Sequence, residues 1–154
     1  MKIFTKNIWF ILLLPIILSF NDEQSKRKKK IDWNEMTSFR IYNQNTFPSD
    51  KTIESYTTEE IDKMNFIETE IFKAKQILKK SIRIRNETYL WKGDVFALAT
   101  FKSSEIRRIK ISWYGGFFLD LKGMKYYTFR KKKAEKWDSF WRKYYHKVIN
   151  NKDK

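Results

Sequence analysis

Apolar residues along this chain change period several times, and each change marks an element. Ser38-Phe39-Arg40-Ile41-Tyr42-Asn43 alternates apolar with polar residues and predicts a short strand, with Trp33 and Met36 beside it. Asn45 to Lys51 contains Pro48, Ser49 and Asp50 and reads as a loop. Ile61, Met64, Ile67, Ile71, Ala74 and Leu78 then recur at intervals of three and four. That spacing puts them on one helical face and predicts a helix from Thr58 to Lys80. Thr57 lies three residues before Glu60, the spacing of a capping box. Lys73, Lys75, Lys79 and Lys80 load the C-terminal half, where the helix dipole favours cations.

After Lys80 the period falls to two. Ile82 and Ile84 alternate with Arg83 and Arg85, and Lys92-Gly93-Asp94 offers a hairpin turn. Val95 to Phe101 is apolar on both parities, as a central strand requires. Lys102 to Glu105 turns the chain. Ile109, Ile111 and Trp113 face one way, and Arg108, Lys110 and Ser112 the other. Tyr114-Gly115-Gly116 breaks the strand, Phe117, Leu119 and Leu121 resume the alternation, and Lys122-Gly123 turns again before Tyr127 and Phe129. Trp137, Phe140, Trp141, Tyr144 and Val148 form the apolar stripe of a last helix, Ala134 to Ile149. Short connections between strands force antiparallel pairing. The expected class is α+β: an antiparallel β-meander of four to five strands packed against an N-terminal and a C-terminal amphipathic helix.

The first 20 residues change the picture. Met1 to Phe20 has two lysines, Lys2 and Lys6, followed by an apolar run from Ile8 to Leu18 and then Ser19. This is the layout of a secretory signal peptide, and the run is short for a bilayer span, which takes about 20 residues. The expected organisation is a signal peptide over 1–19, a flexible basic lead-in over 20–31 and a single α+β domain over 32–150. An uncleaved N-terminus would instead tether the protein to a membrane. The cluster Lys26, Arg27, Lys28, Lys29, Lys30 follows the apolar run, and basic residues there oppose its translocation. Cleavage after Ser19 removes two of the 33 basic residues and none of the 18 acidic ones, so the net charge falls from +15 to +13. Lysine supplies 25 of the basic residues, a skew that genome composition produces as readily as an anionic partner does.

Candidate chemistry is sparse. With no cysteine, there are no disulfides, thiolate nucleophiles or Cys-ligated metals, and the single histidine, His146, cannot build a multi-His metal site. The chain lacks H-E-x-x-H, both phosphate-loop glycine patterns and G-x-S-x-G. No cofactor, metal site or catalytic residue is expected. Asp94 and Asp120 sit near predicted strand ends, but nothing in the sequence fixes their separation, and Asp94 beside Gly93 suits a turn. Lys92, Gly93 and Phe96 match part of an RNA-recognition strand while the stacking aromatics are missing, and the export signal also opposes nucleic acid.

Two local strings stand out. Arg130-Lys131-Lys132-Lys133 precedes the last helix, and four cations at a helix N-terminus oppose its dipole unless an anion joins them. The bland reading makes the run a loop, with the helix starting later and Glu135 in its first turn. Tyr114-Gly115-Gly116-Phe117-Phe118 is either an aromatic-rimmed contact loop or a turn with Phe117 in the core. The expected anion-binding residues are Arg130, Lys131, Lys132, Lys133, Arg108 and Lys110, and the expected aromatic contacts are Tyr114 and Phe118. The function that follows is an exported, non-enzymatic binding or inhibitor-like module, periplasmic or extracellular. Its partner is an anionic polymer, lipid head groups or an acidic protein. The alternatives are a membrane-tethered structural subunit and an enzyme using carboxylate or lysine chemistry.

Overall fold

The computed structural model describes residues 30–43, 55–84, 94–114 and 116–151. The expected leader, most of the basic lead-in, the 45–51 loop and the turn at Lys92 and Gly93 lie outside the described residues. Two compact units divide the chain, Met1–Ile31 and Asp32–Lys154, and the fold below is that of the second.

A 3-10 turn at Trp33–Glu35 leads into β1 (Met36–Tyr42). Then come α1 (Thr58–Asp62), β2 (Phe66–Glu68), α2 (Ile71–Leu78) and β3 (Ile82–Arg83). The second half holds β4 (Asp94–Phe101), β5 (Ile106–Ser112), β6 (Phe118–Asp120), β7 (Lys125–Thr128) and α3 (Lys131–Asn150). Seven strands form one antiparallel sheet in the order β2-β1-β4-β5-β6-β7-β3. The molecule is therefore α+β. β4 to β7 make a meander, β1 adds to it beside β4, and β2 and β3 are the two edge strands of the sheet.

Register explains which side chains meet. Phe39 pairs with Ala99 and Ile41 with Ala97, Ala97 pairs with Ile109, Val95 with Ile111, Ile111 with Phe118 and Phe118 with Tyr127. Directly opposed residues share a face. α3 covers that face with Trp137, whose ring lies 6.2 Å from Phe39, 5.6 Å from Phe118, 5.5 Å from Phe129 and 6.2 Å from Phe140. On the opposite face Tyr42, Phe96 and Leu98 join Tyr56 and Ile61 in a second buried cluster, with Met64 and Leu121 at its margin. β4 lies between the two clusters, which is why Val95 to Ala99 is a continuous apolar run.

The structure corrects four expectations. The helix expected over 58–80 is two helices with a strand between them. Thr57 does cap the first: its hydroxyl accepts from the Glu60 amide at 3.2 Å, and the Glu60 carboxylate accepts from the Thr57 amide at 2.8 Å. Beyond Asp62 the chain leaves the helix, and Phe66 to Glu68 pairs with Tyr42 to Arg40 of β1. The exposed backbone of β1 is a template for a strand, and Phe66-Ile67 suits one. Ile61 therefore faces the second cluster, while Ala74 and Leu78 are buried on α2, which packs against β1 and α3. The sheet has seven strands rather than four to five, because β2 and β3 are short edge pieces of three and two residues, and β2 lies inside a stretch of helical spacing.

The parity after the Tyr114 turn is also reversed. Ser112 donates to the Phe117 carbonyl at 3.1 Å, which closes the hairpin one pair before Phe118 meets Ile111. Phe118, not Phe117, thus points at α3. Finally, α3 begins at Lys131 rather than Ala134, so Lys131, Lys132 and Lys133 occupy its first turn.

Candidate functional site

The first turn of α3 carries a dense group of exposed cations. Arg130 is its extended N-cap residue; its carbonyl accepts from Lys133 at 2.7 Å and from Ala134 at 3.0 Å. No side chain caps the helix and the first turn holds no acidic residue. Arg130, Lys131, Lys132 and Lys133 are all exposed, and none is ion-paired among the described residues. The first amides of a helix have no intrahelical acceptor, so positive charge and unsatisfied donors coincide here.

The β5–β6 hairpin packs against the same turn. Gly116 has a φ of +65°, and a β-carbon there would lie 2.5 Å from the Ala134 β-carbon and 3.0 Å from its α-carbon. Glycine is required on both counts. Trp113 anchors the other side of the hairpin. Its ring meets Trp141 at 5.5 Å and Tyr145 at 5.0 Å, both edge-on. Arg142 stacks on Trp141 and Trp113, 4.6 and 5.6 Å from their ring centres, and donates to the Trp113 carbonyl. Trp141 in turn donates to Asp138 at 3.1 Å, and burial raises the Asp138 carboxyl above its ordinary range against that hydrogen bond and Arg142. Held this way, the hairpin presents Tyr114, 67% exposed, two residues from the glycine that touches α3.

Gly116→Ala combines a left-handed backbone with a contact shorter than any real one. It is expected to destabilise the fold by about 1–3 kcal/mol, read from urea denaturation. Adding Ala134→Gly removes the 2.5 Å contact but leaves the α-carbon one and the left-handed backbone, so the double variant recovers only part of the loss.

The remaining expected site residues lie elsewhere. Phe118 is fully buried and stacked on Tyr127 at 4.9 Å, so it is a core residue and not a surface contact. Arg108 and Lys110 are opposite Leu98 and Phe96 on β5, with parity opposite to Ile109 and Ile111, and thus on the sheet face away from α3. Each is engaged in an interaction within the chain. The six expected cations are therefore two groups on different sides of the sheet. Position 94 pairs with Ser112, whereas Asp120 pairs with Ile109, three residues away along β5. His146 is exposed on α3 beside Tyr145.

No family of known proteins, no curated protein and no solved structure matches this chain.

Two features escaped sequence reasoning. Arg107, which has the parity of Ile109 and Ile111 and to which the sequence assigned no role, donates to Asp120 at 2.6 Å and to Glu105 at 2.9 Å. Lys122 also donates to Glu105, at 2.7 Å. Asp120 is completely buried, and desolvation raises its carboxyl above the ordinary range with Arg107 opposing. The Glu105 carboxyl is lowered, chiefly by the hydrogen bond from Lys122. This network is structural: Arg107 holds the carboxylate that closes the end of the core.

The second feature joins α2 to α3. Glu70, at the N-cap of α2, accepts from the Tyr144 hydroxyl at 2.8 Å and from Lys143 at 3.1 Å. These bonds, Tyr144 first, lower the Glu70 carboxyl below its usual range. Between the two helices runs a cleft of about 430 Å³ lined by Lys73, Gln76 and Ile77 from α2 and by Glu135, Lys136, Ser139, Phe140 and Lys143 from α3. Among the described residues no cluster of three or more acidic or imidazole side chains could hold a metal, and no helix is long and apolar enough to cross a membrane.

Proposed function

We propose that this chain is an exported, non-enzymatic binding module that engages an anionic partner through the start of α3 and the adjoining hairpin. The observation that carries the reading is a set of four exposed cations, Arg130 to Lys133, unpaired among the described residues, on a helix turn against which the Tyr114 hairpin is packed. A folded protein that places like charges on the positive end of a helix dipole gives up stability there. An anion arriving at the same turn removes that repulsion and meets free amides. Tyr114 adds a rigid aromatic surface with a polar tip at the rim. Arg108 and Lys110, committed on the other face, are not part of this surface.

The partner is an anionic envelope polymer, lipid head groups or an acidic protein, all of which share the negative charge this surface selects. Export follows from the reading of residues 1–19, and the intact mass of secreted protein locates the cleavage.

The test is charge reversal on the mature chain. Lys131→Glu, Lys132→Glu and Lys133→Glu together place acids where the dipole favours them, so the fold is kept, as circular dichroism will verify. Each lysine near an anionic surface contributes about 1 kcal/mol. The triple variant is expected to lose about a hundredfold in binding to phosphatidylglycerol vesicles, polyglutamate or a sulfated polysaccharide, whichever the wild type retains, and to lose most of the salt dependence. Equal binding by wild type and variant would refute the reading.

A further inference from the structure

The α2–α3 cleft is a different surface from the cationic rim, and it has a different composition. Its floor is apolar: Ile77 and Phe140 are both buried. Its lining includes an ammonium-bearing residue from each helix, Lys73 on α2 and Lys136 on α3, together with Gln76 of α2 and Ser139 of α3. Lys143 closes one end and is committed to Glu70, which also receives Tyr144. Glu135 is the sole acidic residue in the lining. Neither Lys73 nor Lys136 is ion-paired among the described residues.

We propose that this cleft binds a small amphipathic anion, a phosphate or carboxylate head on a short apolar body. The volume falls in the range of small-ligand sites, and the combination of an apolar floor with a few convergent polar groups is what such sites share. The head lies between Lys73 and Lys136, where two ammonium groups from opposite walls make charge-assisted hydrogen bonds. Gln76 and Ser139 supply neutral donors beside it. The apolar body lies over Ile77 and Phe140. A bare inorganic anion leaves the floor uncovered, and a neutral alcohol leaves two lysines unmatched. The Glu70–Tyr144–Lys143 cluster fixes the spacing of the helices, so the cleft exists before a ligand arrives.

The experiment is a titration of the mature chain with octyl phosphate and octanoate, each held below its critical micelle concentration, followed by calorimetry and by amide chemical shifts. One molecule is expected to bind per chain, with shifts confined to α2 and α3. Octanol and inorganic phosphate, each offering half of the recognition, are expected to bind at least about tenfold more weakly. Lys73→Gln with Lys136→Gln, two exposed positions whose change leaves the core intact, is expected to weaken octyl phosphate by about tenfold or more. The neutral rim variant Lys131→Gln, Lys132→Gln, Lys133→Gln, which sets no new acid one turn from Lys136, is expected to bind it within about threefold of wild type. That arm separates this site from the surface proposed above: loss of vesicle binding with octyl phosphate retained leaves the cleft standing. Absence of saturable binding, equal binding of octanol, equal binding of inorganic phosphate, or wild-type affinity in the Lys73→Gln, Lys136→Gln protein would each overturn the proposal.

Discussion

Arg107→Met is expected to lower the stability of the fold by about 3–5 kcal/mol at neutral pH, because it strands the Asp120 carboxylate in the core without its ion-pair partner. Asp120 is wholly buried, and Arg107 is the guanidinium that reaches it, at 2.6 Å. The Lys122 amide also donates to Asp120, at 3.1 Å, but a neutral donor does not replace a cation. Two consequences make the result specific. The double variant Arg107→Met, Asp120→Leu removes both charges and is expected to recover most of the loss, since a buried pair returns little more than its desolvation cost. The pH dependence has a definite sign. A carboxyl whose folded-state pKa lies above the unfolded value favours folding most when protonated. Its contribution is full below the unfolded pKa and is lost as pH rises through the folded one. Burial already raises the Asp120 carboxyl, and losing Arg107 raises it further. The deficit of Arg107→Met therefore shrinks as the pH is lowered through the acidic range, measured against wild type by urea denaturation. A constant deficit at all pH values would assign the effect to packing instead.

Trp137→Ala is the second large effect, about 3–5 kcal/mol. Trp137 is fully buried and contacts aromatic rings on β1, β6, α3 itself and the segment after β7. Its removal opens a cavity where the helix touches strands from both halves of the chain. The indole N–H finds no acceptor among the described residues, and a buried donor in that state costs about 1–3 kcal/mol. Trp137→Phe loses part of the ring but also that orphan donor, so it is expected to cost much less than Trp137→Ala. A phenylalanine variant as unstable as the alanine one would show that the full indole volume, not the aromatic contact, holds the core.

Much of this arrangement was legible along the chain. The period of two from Ile106 to Thr128 and the doubly apolar run of Val95 to Ala99 describe four adjacent strands, because short hairpins leave little choice of partner. The stripe of Trp137, Phe140, Trp141, Tyr144 and Val148 is the buried face of α3. The capping box at Thr57 is present as its spacing required. The region from Met64 to Glu70 was not legible. Its three–four spacing satisfies a helix locally, but the free edge of β1 stabilises a strand there, and hydrogen bonding across the sheet outweighs a propensity worth tenths of a kcal/mol per residue. The candidate surface was half legible. Arg130 to Lys133 and Tyr114 were visible as odd strings. That they adjoin depends on Gly116 meeting Ala134, a contact 18 residues apart that no local pattern carries.

The sequence by itself determined the alternation of elements, the parity of most core residues and the absence of cysteine and multi-imidazole chemistry, because these depend only on side-chain type and local period. Tertiary structure decided where the edge strands join, that Phe118 rather than Phe117 enters the core, and that Arg107 faces Asp120. It also divided the basic residues between two faces and opened the cleft beside Lys73 and Lys136. Each of these is a matter of register or of contact between distant segments, and such contacts are set by the free energy of packing the whole sheet and not by any stretch of neighbours.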